Sequence, residues 1–336
     1  MSISPPLFSS GLLLVILLVF CASVDSVEGV KSSPRGGPAF SDPGKLVEMD
    51  EQWIKKPVVH PSAAEGTDLV LSVDQHLYPA ISPFIREFAT RRRLKVSVHE
   101  GTCGISAGLL MRKHVDVGGF CCPAGENDRL PGLKFHTIGI TGLAIIVHPA
   151  NPVNNLDLEQ VRDIFQGKIL TWDEADSGMP KRPIRVIGRL HCKQRPGHWR
   201  LILDNEDQFS PAMIEVGSIK DMMDRVARDK GAIGYEVVWN LVHYEQIAKV
   251  KAVSINKAEA SSLEDVATLR YPLYRVYNIT TWSEEKNEPS PSLDLIHHII
   301  ASADKIDPVY SIVPVSLLRK HGWQFFYDEL VGEPNQ

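Results

Sequence analysis

Five cysteines carry the most distinctive chemistry in this chain of 336 residues. Cys121 and Cys122 are adjacent, Cys103 and Cys192 stand alone, and Cys21 falls in an apolar N-terminal stretch. Thiolates are the ligands that soft ions prefer, and thiols of exported proteins often pair as disulfides. Neither a Cys-x-x-Cys nor a His-x₃-His spacing occurs, so the sequence predicts no zinc site and no haem attachment. We therefore expect neither a metal nor a cofactor.

Catalysis by one of these cysteines is a second option. A cysteine nucleophile needs a base such as histidine within reach, and such sites usually lie in a recognisable segment. No segment here carries a catalytic signature, and the cysteines are too dispersed to single out one nucleophile. We therefore expect a protein that is not an enzyme.

The overall composition is that of a globular protein. Hydrophobic residues make up 43% of the chain and charged residues 23%, which excludes a disordered or disulfide-dense chain. The formal net charge of −5 gives no basic field for nucleic acid. The length is sufficient for two α/β units.

The N-terminus is typical of an exported protein. Gly11–Cys21 is an unbroken apolar run, shorter than a membrane-spanning helix and typical of a signal-peptide core. We assign residues 1–28 to a signal peptide, although a retained anchor or a lipid attached at Cys21 would use the same run. Residues 29–65 are rich in Gly, Pro, Ser and charge, which favours a flexible lead-in.

Helical and strand patterns alternate after residue 66. Residues 79–94 place Ile81, Phe84, Ile85 and Phe88 at helical spacing, and residues 143–147 form a buried apolar strand. Such alternation predicts an α/β fold with mostly parallel strands.

Four segments, in this order, resemble the phosphate-binding proteins of the phosphate ABC transporter. They are VDVGGFCCP (115–123), TGLAIIVHPANPVNNLDLEQVRDIFQGKILTWDEA (141–175), RVARDKGAIGYEVV (225–238) and YPLYRVYNI (271–279). The resemblance implies a type II periplasmic-binding-protein fold, in which two α/β lobes are joined by crossover strands. Lobe one would contain residues 66–144 and 253–336, and lobe two residues 145–252.

The resemblance also implies a function. A protein of this family is an exported, monomeric solute-binding protein that closes on a small oxyanion between its lobes. It would deliver the anion to the membrane permease of an ABC transporter, or signal through a membrane sensor kinase.

Four loops of the family hold the oxyanion, and the corresponding loops here are altered. Arg189 and Thr102 match the family's contacts best, while Cys121 stands where phosphate-specific proteins place an Asp. The Ser-Gly-Thr that follows the arginine in the family is replaced here. The resemblance therefore implies these ligand-binding residues: Gln75, His76, Thr102, Cys103, Gly104, Cys121, Arg189, Gly197 and His198.

The remaining cysteines then fall in the same four loops. Cys103, Cys121, Cys122 and Cys192 could form structural disulfides, the easiest joining Cys103 to Cys121 or Cys122 within lobe one. They could instead line a pocket for a thiophilic, arsenite-like oxyanion. A third interpretation is a redox or metal-handling protein built on the same scaffold.

Overall fold

The computed structural model describes residue 1 and residues 40–190, 198–283 and 290–335. Most of the predicted signal peptide, including Cys21, lies outside the described residues, as do His191, Cys192 and Gly197. Within the described part of the chain, no helix is both long enough and apolar enough to cross a membrane.

Strands and helices alternate along the chain as the pattern predicts. The strands are β1 (Leu69–Asp74), β2 (Val96–Gly101), β3 (Val117–Phe120), β4 (Leu133–Val147), β5 (Asn155–Leu156), β6 (Arg185–Gly188), β7 (Ile214–Glu215), β8 (Ala232–Val237), β9 (Lys251–Ile255), β10 (Tyr274–Trp282), β11 (Ile312–Pro314), β12 (Gln324–Phe326) and β13 (Glu329–Gly332). The helices are α1 (Glu51–Lys55), α2 (Tyr78–Arg92), α3 (Cys103–Met111), α4 (Leu158–Gln166), α5 (Trp172–Ala175), α6 (Ile219–Arg228), α7 (Val238–His243), α8 (Leu263–Ala267), α9 (Pro291–Ala301) and α10 (Val315–Lys320).

The long strand β4 joins the two halves of the main sheet. Its first part pairs with β10, from Leu133 opposite Trp282 to Gly142 opposite Tyr274. Its last part, from Leu143, pairs with β8. The strand order is β2-β1-β3-β10-β4-β8-β6-β7. This two-part α/β sheet confirms the predicted fold class.

Two predictions about the sheet need correction. The apolar strand predicted at 143–147 is the end of β4, which begins at Leu133. The sheet is mixed rather than mostly parallel, because β4 runs antiparallel to both β10 and β8. The β1–β2 and β6–β8 pairs remain parallel, as expected for α/β units.

The hydrophobic side chains form two cores, and their division differs from the predicted lobe boundaries. One core contains β1, β3 and α2, and the other contains β6, β8 and α6. The predicted lobe one includes residues 253–336, yet Val253, Val266 and Tyr271 pack in the second core. The reason is that β9 pairs with β4, with Val253 opposite Ile145. The lobe boundaries themselves stay a prediction.

Residues 40–65, which belong to the lead-in predicted at 29–65, make specific contacts with the rest of the structure. Trp53 donates from Nε1 to the Met111 carbonyl at 2.7 Å, and the Lys113 ammonium lies 4.4 Å from its ring centroid. The Ser41 carbonyl accepts a hydrogen bond from Arg129 Nη2 at 2.9 Å. The aromatic and polar contacts hold these residues against the first core.

Candidate functional site

A buried cluster of charged and thiol side chains lies where strands from both cores end. Asp74 is the last residue of β1, Cys103 is the first of α3, and Cys121 directly follows β3. Because parallel strands present their carboxyl ends at one edge of a sheet, this edge is where α/β proteins bind ligands. The central cluster comprises Asp74, His76, Cys103, Cys121, Cys122, Arg189, Glu236 and Arg275.

His76 links the carboxylates of the two halves. Its Nδ1 lies 2.8 Å from Asp74 Oδ1, and its Nε2 lies 3.2 Å from Glu236 Oε1. All three side chains are almost completely buried. Because Asp74 belongs to β1 and Glu236 to β8, this imidazole bridges the two parts of the sheet.

Two arginines complete the charged part of the cluster. Arg189 Nη2 lies 3.2 Å from Glu236 Oε2 and 3.2 Å from His76 Nε2. Arg275, which is fully buried, places Nη1 3.2 Å from Cys121 Sγ. A buried guanidinium is stable only with anionic or hydrogen-bonding partners around it. Glu236 and Cys121 therefore act as internal anionic partners for these arginines.

Three thiols occupy the lobe-one side of the cluster. Cys103 Sγ and Cys121 Sγ are 3.3 Å apart, and Cys121 Sγ and Cys122 Sγ are 3.9 Å apart. The three residues are fully buried, and both separations are longer than the roughly 2.05 Å of a disulfide bond. The structural disulfides that the sequence allows at these positions stay a prediction.

The surroundings shift the pKa values of this cluster strongly. Burial and the charge of Arg275 oppose protonation of His76, yet the Asp74 carboxylate and its hydrogen bond raise the pKa of His76 to about 10. Burial also opposes ionisation of Cys121, but hydrogen bonds from Cys103 and Cys122 and the charge of Arg275 hold its pKa well below the ordinary value. Despite burial, Arg189 and His76 hold the pKa of Glu236 far below its ordinary value.

Basic side chains outnumber carboxylates in this cluster. Three basic side chains, His76, Arg189 and Arg275, face the two carboxylates of Asp74 and Glu236. The Cys121 thiol, whose Sγ lies beside Arg275, is a group that could supply a third negative charge. A small anion bound here would supply that charge instead.

Some of the ligand residues implied by the resemblance lie elsewhere or have internal partners. The Cys103 N–H donates to Asp74 Oδ2 at 3.1 Å, so a carboxylate of the protein occupies that donor. Thr102 caps α3 by accepting from the Ile105 N–H, and Thr102 and Gly104 line a separate open cavity of about 710 Å³. The Gln75 N–H donates to the Gly101 carbonyl at 2.8 Å.

The structure brings together only some of the remaining residues for which the resemblance implies ligand binding. His76, Cys121 and Arg189 meet in the cluster, and His198 begins a short helix that ends at Leu201. Gly197 and Cys192 lie outside the described residues. The ligand-binding role of each of these residues stays a prediction.

Two central residues were missed by the sequence interpretation. Glu236 and Arg275 lie within the buried strands β8 and β10 and are themselves fully buried. A charged residue in the middle of a strand that is otherwise buried needs a partner, and that is the signal by which they can be found.

Comparisons with known proteins agree with this architecture. The family model for a PBP superfamily domain matches residues 58–295. A phosphate-binding protein PstS of Bacillus subtilis is 24% identical over 204 residues, which is 60% of this chain and 65% of that protein. The match thus spans slightly less than two thirds of this relative's length.

Solved structures show the same fold. A putative phosphate ABC transporter substrate-binding protein with bound phosphate, from Clostridium perfringens, superposes with a TM-score of 0.62 at 20% identity. The superposition covers 74% of this chain and 99% of that one. An ABC-type phosphate transport receptor from Vibrio cholerae gives a TM-score of 0.58 at 21% identity, over 76% and 98% of the two chains.

Proposed function

Because the chain belongs to the PBP superfamily and the similar proteins named above are substrate-binding proteins rather than enzymes, we propose that it captures a small oxyanion between its two lobes. The site would be the cluster around His76, Arg189 and Arg275. The similar proteins of B. subtilis and C. perfringens are described as binding phosphate, so a phosphate-like anion is the first ligand to test.

The observation that carries this proposal is the excess of buried cations. Three cationic side chains face two carboxylates in a fully buried centre. Guanidinium groups bind oxyanions through paired, charge-assisted hydrogen bonds, and these bonds are stronger out of water. A small monoanion would supply a third negative charge and allow Cys121 to stay a neutral thiol.

The Glu236 carboxylate occupies donors that an oxyanion ligand would use. It contacts both Arg189 and His76, so an incoming oxyanion must displace it or share these donors. Entry to a fully buried centre also requires the lobes to separate, as in hinge closure around a ligand. The strand β4 crosses between the lobes and is a suitable place for that movement.

The partner would be a membrane protein. An exported, monomeric binding protein would pass its anion to the permease of an ABC transporter, as the description of the C. perfringens protein suggests for its own system. A membrane sensor kinase is the alternative partner.

A second candidate ligand is favoured by the thiols. Cys103 and Cys121 place their Sγ atoms 3.3 Å apart in the same cleft, so a thiophilic, arsenite-like oxyanion could bind there. Cys192, the third cysteine of this interpretation, lies outside the described residues.

Ligand-induced thermal stabilisation of the full chain tests both candidates. Phosphate, sulfate, molybdate, arsenate and arsenite are added separately, with and without a reductant. A ligand at a hundred times its Kd stabilises the folded state by about 2.7 kcal/mol. We expect phosphate to stabilise the protein in both conditions, and Arg189→Gln to abolish the effect. Arg91→Gln, on an exposed part of α2, is the matched control.

The outcomes separate the candidates. Stabilisation by arsenite alone, and only with the reductant, would favour a thiophilic oxyanion over a phosphate-like anion as the ligand. If none of the five anions stabilises the chain, the oxyanion proposal fails.

A further inference from the structure

Cys103, Cys121 and Cys122 form a compact group of sulfur atoms, which we call the three-thiol group. Their Sγ atoms all lie within 4.8 Å of one another. Two of the separations are 3.3 and 3.9 Å. Three thiolates around one ion, at a metal–sulfur distance of about 2.3 Å, would be about 4.0 Å apart. The group therefore needs only small adjustments to surround a single ion.

The backbone brings these thiols together from two elements. Cys103 opens α3, whereas Cys121 and Cys122 follow the end of β3. Adjacent residues of a regular strand point to opposite faces, which would separate neighbouring thiols. The chain bends at Cys121 and Cys122 instead, and their Sγ atoms come within 3.9 Å. This bend turns a neighbouring pair into two converging sulfur donors.

Hydrogen-bond donors already surround the sulfurs. Arg275 Nη1 lies 3.2 Å from Cys121 Sγ, and the Cys121 N–H donates to Cys103 Sγ at 3.1 Å. Such outer contacts orient metal-binding thiolates and offset their negative charge. Because the group is fully buried, water cannot compete for an ion once the cleft has closed.

We propose that Cys103, Cys121 and Cys122 bind one soft metal ion, with Cu(I) as the ion best suited to them. Soft thiolate ligands select Cu(I) over hard cations, whereas Zn(II) in structural sites almost always takes four ligands. The thiol protons leave to solvent as the ion binds. This site goes beyond the proposed anion role, in which Arg189 is a principal contact and no metal ion takes part.

The test is an anaerobic titration of the reduced full chain with Cu(I), in competition with a chromophoric Cu(I) chelator. We expect one equivalent of Cu(I) to be retained, and X-ray absorption of the loaded protein to count three sulfur ligands. Single replacements Cys103→Ser, Cys121→Ser and Cys122→Ser should each weaken binding at least about tenfold. Met179→Leu, which removes a sulfur atom packed against the other core, is the matched control and should leave the affinity unchanged.

Thermal unfolding of each variant shows whether it folds. The Cu(I) binding of the wild type remains a valid test even if a variant does not fold. Absence of retained Cu(I), a sulfur count other than three, or unchanged binding in all three serine variants would each overturn the proposal. The same preparations are also tested with phosphate. If phosphate stabilises the protein but Cu(I) does not bind, only the metal-site proposal fails. If Cu(I) binds but phosphate does not stabilise the protein, only the anion-binding proposal fails.

Discussion

At the scale of single residues, the site is an arrangement of buried charges that satisfy one another. Glu236 is the residue on which the arrangement depends most, because its two oxygens face His76 and Arg189. Removing one partner of a buried ion pair leaves the other charge without compensation, which costs more than the pair contributes. The cluster is therefore sensitive to any single change of charge.

Glu236→Gln should lower the free energy of unfolding in the absence of ligand by about 3–5 kcal/mol, the usual cost of breaking a buried pair. Urea unfolding followed by fluorescence measures this loss. Glu215→Gln, on the exposed end of β7, is the matched control and should change little. An unchanged unfolding midpoint for Glu236→Gln would show that Arg189 and His76 do not need this carboxylate.

His136 in β4 makes the stability of the protein depend on pH. Burial lowers its pKa below the ordinary value of 6.5, although Asp328 opposes the shift and His297 and Lys134 reinforce it. The unfolded chain therefore takes up the proton first as the pH falls. The stabilisation from neutral His136 is complete above about pH 6.5 and is lost below it.

Between about pH 7 and pH 5, the wild type should lose more stability than His136→Gln, whose side chain can still contact Thr281. Urea unfolding at several pH values measures the difference. His114→Gln is a control outside this contact. Parallel pH profiles for the wild type and His136→Gln would contradict the predicted shift.

At the scale of elements, β4 determines how closely the two halves approach. It pairs with β10 and β11 in its first part and with β8 and β9 in its last. At Gly142 the strand passes so close to the segment before α8 that an added Cβ would lie 2.2 Å from the Ala260 carbonyl oxygen. This position needs a glycine because backbone, not a movable side chain, fills the space.

Gly142→Ala should destabilise the protein by about 1–3 kcal/mol or more, as overpacking of a core does. Gly217→Ala is the matched control, since nothing lies within 4 Å of its added Cβ. Calorimetry of the two variants checks the expectation. Equal transition temperatures would mean that β4 can shift away from Ala260 at little cost.

At the scale of the whole molecule, the segment before β1 is part of the folded unit. Trp53 is half-buried against the Trp282 ring, with centroids 6.2 Å apart, and it also contacts Met111 and Lys113. A large aromatic side chain contributes through buried area and through its N–H together.

Trp53→Ala should therefore lower the unfolding free energy by about 1–3 kcal/mol, less than for a fully buried Trp. Ile54→Ala, at an exposed neighbouring position, should have a small effect. Limited proteolysis supplies a second measurement, with faster cleavage in residues 40–65 of the Trp53→Ala protein. If both variants behave like the wild type, the segment is docked without contributing to stability.

Much of the fold could be predicted from the sequence because its signals are local. The helix expected at 79–94 is α2, Tyr78–Arg92, and the family motifs identified the α/β scaffold correctly. The candidate site was harder, since Glu236 and Arg275 meet only through the register of two strands with β4. Glu236 lies opposite Ala144, and Arg275 lies opposite Thr141. Such pairing between residues that are 92 and 134 positions apart has no signature within any one segment.

The Arg129 side chain contacts residues near both ends of the described chain. It donates to the Ser41 carbonyl and forms a 2.7 Å ion pair with Glu329, and residues 43 and 46 line one cavity with residues 326–329. Residues near the start of the described range 40–190 and near the end of the range 290–335 are thus neighbours on one surface, as termini of single domains often are. A circularly permuted chain, joined by a short linker there and reopened at an exposed loop, would retain the cleft intact.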